Sequence, residues 1–256
     1  MDFTIAIPAR FDSKRLPGKV LADLCGKPVL RHVWDNANRV HSVGEVVVLT
    51  ESEMVRDAVQ SWGGRCLMTP AACSTGTERI AWALEKIPGD YVINLQADEP
   101  FLRPATIAAL IDGQLKIGSV DEVRTPIYAI RRREELLDPN VVKVVCGNGG
   151  EALYFSRSPI PHIRDCPEDG WIDRGLHFGH IGVYLYGRNI LEEWHSLPKS
   201  QLAEAESLEQ LRLLQAGRKI FTVRVDSPSL AIDTAADLNR AREIILEGAD
   251  GVCSNG

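Results

Sequence analysis

Strand-like and helix-like stretches take turns along the first half of this chain, and that alternation constrains the fold most. Residues 3–7 form an apolar run of strand length, Glu45–Thr50 reads Glu-Val-Val-Val-Leu-Thr, and residues 91–95 form a third run. Continuously apolar, β-branched runs of this length suit strands buried on both faces. Between them, residues 28–40 read as a helix, and Met54, Val55, Ala58, Val59 and Trp62 recur at helical spacing before Gly63-Gly64. Pro104 stands where a helix can begin, ahead of an apolar stripe of Ile107, Leu110 and Ile111. This βαβ order predicts an α/β protein with a mostly parallel sheet and helices on both faces. A chain of 256 residues can bury one large core. We expect a single domain over residues 1–248 and a frayed tail over 249–256.

The second half is less regular. Strands are expected over residues 138–145 and 152–155 around a Gly147-Asn148-Gly149-Gly150 turn, over 179–186, and over 220–225. A charged helix is expected over 204–216, stopped by Gly217, and a last helix from about Ala235. The proline-rich stretch 158–171 reads as an ordered excursion or a subunit contact.

Composition excludes several classes. A formal net charge of −6 argues against nucleic acid as the main partner. No stretch reaches the roughly twenty apolar residues of a membrane span, and no signal-peptide pattern opens the chain. Six scattered cysteines without a Cys-x-x-Cys pair read as reduced thiols, which predicts a cytoplasmic location.

The first strand opens into Pro8-Ala9-Arg10-Phe11-Asp12-Ser13-Lys14-Arg15-Leu16-Pro17-Gly18-Lys19. Four cations (Arg10, Lys14, Arg15, Lys19) inside a Pro/Gly frame, in an otherwise acidic chain, suit a polyphosphate. Ligands of open α/β sheets bind outside the carboxyl ends of the strands. Asn94-Leu95-Gln96-Ala97-Asp98-Glu99-Pro100 ends another strand, so Asp98 suits either Mg²⁺ or the backbone donors of a helix entry. Asp233, before the last helix, suits an N-cap, and Asp237 a first-turn acid facing the helix dipole. Thr75 or Thr77 in Cys73-Ser74-Thr75-Gly76-Thr77-Glu78-Arg79 suits an N-cap as well.

Taken together, these segments resemble the cytidylyltransferases for 3-deoxy-D-manno-octulosonate (Kdo), in that family's motif order from Ile5 to about Leu238. The resemblance implies a Rossmann-like, three-layer nucleotidyltransferase fold with a mixed, mostly parallel sheet. It also implies transfer of CMP from CTP to the sugar acid, for lipopolysaccharide synthesis. By resemblance, Lys19, Asp98 and Asp233 are catalytic, with Mg²⁺ on Asp98 and Asp233. Pro8, Ala9, Arg10, Arg15, Lys19, Thr75, Gly76, Arg79 and Gln96 hold the nucleotide. Arg157 takes the sugar carboxylate, beside His180, Tyr184, Glu209 and Gln210, and the protein is a homodimer. Lys14 falls outside the family pattern.

Three departures stand out: Ala97 where the family has Gly, Thr75 where it has Ser, and Thr50-Glu51-Ser52-Glu53 where it has Thr-Asp-Asp. Ala97 and Thr50-Glu51-Ser52-Glu53 leave room for a different acceptor, such as an amino-Kdo, a sialic-type sugar or a phosphonate. A nucleotidyltransferase for sugar phosphates and a non-catalytic nucleotide-binding protein are the remaining alternatives. Pro28 after Gly26-Lys27 rules out a Walker A loop, and no Gly-x-Ser-x-Gly elbow occurs. His177 and His180 lie on a strand-like stretch, which rules out a shared zinc.

Overall fold

Buried β-branched runs organise the sheet that carries the basic loop. The computed structural model describes residues 1–13, 15–115, 119–226 and 228–253, so Lys14 lies outside the described residues. Two compact units share the chain: one of Asp2–Gly89, Asn94–Ala105 and Ser229–Gly256, the other of Met1, Asp90–Ile93 and Thr106–Pro228.

The first unit contains β1 (Phe3–Pro8), β2 (Asp23–Leu24), β3 (Lys27–Pro28), α1 (Val29–Ala37), β4 (Glu45–Thr50), α2 (Glu53–Ser61), β5 (Arg65–Met68) and α3 (Gly76–Ala83). Strand β4 runs parallel to both β1 and β5, setting Val47 opposite Ala6 and Val48 opposite Cys66. Every residue of β1 is buried, as a central strand requires. Helix α1 buries Val29, Leu30, Val33 and Ala37, and α2 buries Val55 and Val59, each a single face at helical spacing. The C-terminal helix Ala235–Cys253 closes this core by packing Leu238 and Ala241 on Leu24, Val29 and Ile232. Its start is capped reciprocally: Asp237 N–H donates to Thr234 Oγ1 at 3.2 Å, and Thr234 N–H donates to Asp237 Oδ2 at 2.8 Å.

In the second unit, β6 (Tyr91–Asn94, of which Asn94 belongs to the first unit) and α4 (Pro104–Leu115) lead into β7 (Val123–Ala129). There follow α5 (Arg133–Leu137), β8 (Lys143–Cys146), β9 (Ala152–Ser156), β10 (Phe178–His180) and β11 (Tyr184–Gly187). Then come α6 (Arg188–Glu192), α7 (Gln201–Glu206), α8 (Leu211–Gln215) and β12 (Ile220–Arg224). Strand β7 pairs antiparallel with β10 and β11 and parallel with β12, and β8 joins β10 to β9. The class is mixed α/β, as the alternation predicts.

Three elements differ from the sequence expectation. The strand expected over 138–145 begins only at Lys143, because Asp138 to Val141 forms a turn. Lys143 Nζ is buried back onto that turn, 2.9 Å from the Asp138 carbonyl and 2.6 Å from the Val141 carbonyl. The strand expected over 179–186 is two strands: His180 pairs with Ile127 but Leu185 with Arg124, which leaves two residues looped out. Thr125 Oγ1, donating to the Val183 carbonyl at 2.8 Å, fastens that bulge. The helix expected over 204–216 breaks at Ser207, which takes the left-handed conformation (φ 51), and the Glu206 carbonyl bonds Arg157 instead of continuing the helix.

Candidate active site

The basic loop is built from its root outward. Ala9 is buried and extends the β1–β4 ladder by one bond, its N–H 2.8 Å from the Leu49 carbonyl. Arg10 turns its guanidinium onto the carbonyls of Cys73 (2.6 Å) and Ser74 (3.0 Å). The Phe11 N–H donates to Glu51 Oε1 at 2.8 Å, while the Phe11 carbonyl accepts from Gly18 N–H at 3.1 Å. Gly18 has φ 68, a conformation glycine adopts without Cβ strain, and it closes the loop so that Lys19 begins a short 3₁₀ turn.

That turn aims Lys19 at two acids. Its Nζ lies 2.5 Å from Asp98 Oδ2 and 2.9 Å from Asp233 Oδ1, and Arg15 reaches Asp233 Oδ2 at 2.9 Å. Burial works to lower the Lys19 pKa, but the Asp98 and Asp233 carboxylates outweigh it and hold the ammonium above its ordinary range. Backbone bonds bring the acids together: Leu95 N–H donates to the Ala6 carbonyl at 3.0 Å, and Ile232 N–H to the Asp98 carbonyl at 2.8 Å. Thr234 and Asp237 make the helix cap, so the Asp233 carboxylate is turned to the cations rather than to the helix. Next to Asp98, burial pushes the Glu99 carboxyl up to about 7.

The chemistry of this donor set fits Mg²⁺. Two carboxylates from distant segments already share one cation, the Lys19 ammonium. Among the described residues no cluster of three or more His, Cys, Asp or Glu side chains gathers to hold a metal. Mg²⁺ is commonly held by one or two carboxylates, with substrate phosphates and water completing its shell.

A cavity of about 370 Å³ opens beside these groups. Pro8, Arg10, Arg15, Lys19, Thr75, Gly76, Arg79, Gln96, Asp98 and Asp233 all line it, so the structure gathers most of the nucleotide set expected from sequence. Thr75 also caps α3, its Oγ1 accepting from Glu78 N–H at 3.2 Å. Gly76 allows a close approach: a Cβ there would sit 2.9 Å from Pro8 Cγ and 3.3 Å from Gln96 Oε1. Gln96 is held in turn by Asn94, whose Oδ1 accepts from its Nε2 at 2.8 Å. Arg79 is only 2% exposed and is paired inward, to Glu51 at 2.8 Å and to the Thr69 hydroxyl. Glu51 carries no role in the sequence reading, although its place at the end of β4 could have flagged it.

The residues expected for the sugar acid all fall in the second unit. His180 Nε2 lies 2.8 Å from Thr125 Oγ1, and its ring meets Phe155 edge-on at 4.9 Å and Tyr184 at 5.4 Å. Burial pushes the His180 pKa down to about 3, so the imidazole is neutral. Burial also raises the Tyr184 pKa, with Tyr186 and Glu209 adding to the shift. Gln210 is buried, and its Nε2 has no hydrogen-bond partner among the described residues. Arg157 instead grips backbone: Nε donates to the Glu206 carbonyl at 2.7 Å, one terminal nitrogen to Pro139 at 2.9 Å and the other to Ser207 at 3.3 Å. The structure thus places Arg157 as the brace of the turn that presents Glu209 and Gln210.

A cationic loop, a carboxylate pair and a cavity at strand ends define a nucleotidyltransferase, and residues 4–220 match the cytidylyltransferase family model. A 3-deoxy-manno-octulosonate cytidylyltransferase from Trichlorobacter lovleyi is 39% identical over 258 residues, covering 97% of this chain and 100% of the relative. One from Escherichia coli is 40% identical over 243 residues, covering 95% and 96%. A solved CMP:2-keto-3-deoxy-manno-octonic acid synthetase complexed with CTP is 39% identical, with a TM-score of 0.90 over 97% of this chain and 100% of that one. The chain belongs to the 3-deoxy-manno-octulosonate cytidylyltransferase family.

Proposed function

We propose that this chain transfers the CMP group of CTP to the anomeric 2-hydroxyl of 3-deoxy-D-manno-octulosonate, giving CMP-Kdo and pyrophosphate for lipopolysaccharide synthesis. The observation that carries this reading is the convergence of Lys19 and Arg15 with Asp98 and Asp233 at one edge of the cavity. The relatives' activities, as their names give them, supply the substrates.

In the reaction the sugar hydroxyl oxygen bonds to the α-phosphorus, the bond from that phosphorus to the β-phosphate oxygen breaks, and the hydroxyl proton is lost. Such transfer depends chiefly on positioning and charge neutralisation. Arg15 and Lys19 hold the triphosphate, leaving the two acids to a divalent cation. Asp98 and Asp233 would hold Mg²⁺, which when bound would offset phosphate charge and make the hydroxyl easier to deprotonate. Arg10 acts through the carbonyls it fixes, and Thr75, Gly76 and Gln96 face the nucleoside. His180, as the neutral imidazole, offers the sugar oriented hydrogen bonds together with Tyr184, Glu209 and Gln210, and Arg157 braces the turn at Glu206–Ser207. A cytoplasmic homodimer completes the proposal. The free thiols of Cys25, Cys66, Cys73, Cys146 and Cys166 support the first part. The second is tested by sedimentation velocity.

Phosphorus-31 spectra of the protein with CTP, Mg²⁺ and Kdo test the chemistry. A new phosphodiester resonance growing in step with pyrophosphate is expected. Pyrophosphate appearing equally without the sugar acid contradicts the transfer.

A further inference from the structure

Glu51 touches neither the cavity nor the two acids, yet it joins the two segments that wall the cavity. On one side its Oε1 takes the Phe11 N–H at 2.8 Å, and the Phe11 carbonyl in turn holds Gly18 N–H at 3.1 Å. Phe11 is therefore fixed at both ends of its residue, which sets where the loop closes and where Lys19 begins its turn. On the other side Oε2 pairs at 2.8 Å with the Arg79 guanidinium. Arg79 lies on α3, whose first residues form the opposite wall, and it is anchored again on the Thr69 hydroxyl. Both members of the ion pair are shielded, with side-chain exposures of 2% for Arg79 and 14% for Glu51, so solvent screens the link little.

We infer that Glu51 is a positioning residue for the nucleotide: one carboxylate ties the phosphate-binding loop to the base-facing helix and sets the gap between them. This deepens the cytidylyltransferase reading and rests on it. Every group that Glu51 contacts lies on the nucleotide side, so its loss weakens the nucleotide and spares the sugar acid.

Calorimetric titration of CTP with Mg²⁺, without sugar acid, into wild type, Glu51→Gln and the double variant Glu51→Gln/Arg79→Gln tests this, together with the two Michaelis constants. The double variant removes the buried guanidinium with its partner and, compared with Arg79→Gln alone, carries the test if Glu51→Gln by itself does not fold. The expected result is CTP binding weakened about tenfold, the lower end of what loss of a supporting partner costs a site, with the Michaelis constant for the sugar acid within about twofold of wild type. A folded variant whose CTP affinity falls less than fivefold, or whose two Michaelis constants rise together, overturns the inference. Wild type that binds no CTP overturns the cytidylyltransferase reading itself, and this inference with it.

Discussion

The two sets of candidate residues are built on opposite physical principles. In the first unit, Arg15, Lys19, Asp98 and Asp233 are partly exposed charges balanced against one another, and their fixed points are backbone turns such as Gly18. In the second, His180, Tyr184 and Gln210 are largely withdrawn from water and uncharged, held by ring packing and a two-residue bulge. The difference teaches how one chain can handle two dissimilar substrates. A polyphosphate with metal needs charges that can exchange partners. The hydroxyls of a sugar suit uncharged groups whose positions are set in advance.

The harshest way to break the contrast is to remove one acid. Asp98→Ala or Asp233→Ala is expected to lower pyrophosphate release roughly 10²- to 10³-fold or more, while circular dichroism stays native. Near-normal turnover in either variant removes the metal assignment. Lys19→Met is expected to cost about 10²-fold in turnover. It also leaves two carboxylates without their shared ammonium, so Mg²⁺ without nucleotide should raise its melting temperature more than that of wild type. An equal Mg²⁺ response in the two proteins would show that the acids do not act as one cation site.

Substitutions in the second unit should speak first through stability. Arg157→Ala strips donors from three carbonyls, so a loss of about 1–3 kcal/mol is expected, with a higher Michaelis constant for the sugar acid and an unchanged one for CTP. A shift in the CTP constant instead would contradict the division of roles. The smallest effect is a pH dependence. His180 has a folded pKa depressed to about 3 from 6.5. Below pH 6.5 the unfolded chain therefore binds a proton that the folded chain refuses. Stability should fall from pH 6.5 toward 3, and His180→Asn should flatten that slope in chemical denaturation. An unaltered slope would place the burial elsewhere.

The nucleotide side was largely legible in the sequence because its signals are local. A strand followed by Pro8, four cations and Gly18 names a loop, Asp98 follows closely on the apolar run 91–95, and Asp233 stands just ahead of the last helix. What remained hidden depends on contacts distant in sequence. Glu51 matters through Phe11 and Arg79, 40 and 28 positions away, and no periodicity marks it. Asp233 read as an N-cap from sequence because only geometry shows Thr234 and Asp237 filling that role. On the sugar side, the breaks at residues 181–183 and at Ser207 defeat the strand and helix patterns, since Thr125 and Arg157 impose them from other segments. Arg157 suits a carboxylate by residue type, and only the fold shows that three of its five N–H donors also brace backbone carbonyls.

The most direct test is initial pyrophosphate release with Mg²⁺, crossing CTP, UTP, ATP and GTP with Kdo, an amino-Kdo, a sialic acid and a sugar phosphate. Release is expected to require CTP together with a 2-keto sugar acid and to be fastest with Kdo. Equal release with UTP, or preference for the sugar phosphate, would contradict the cytidylyltransferase reading.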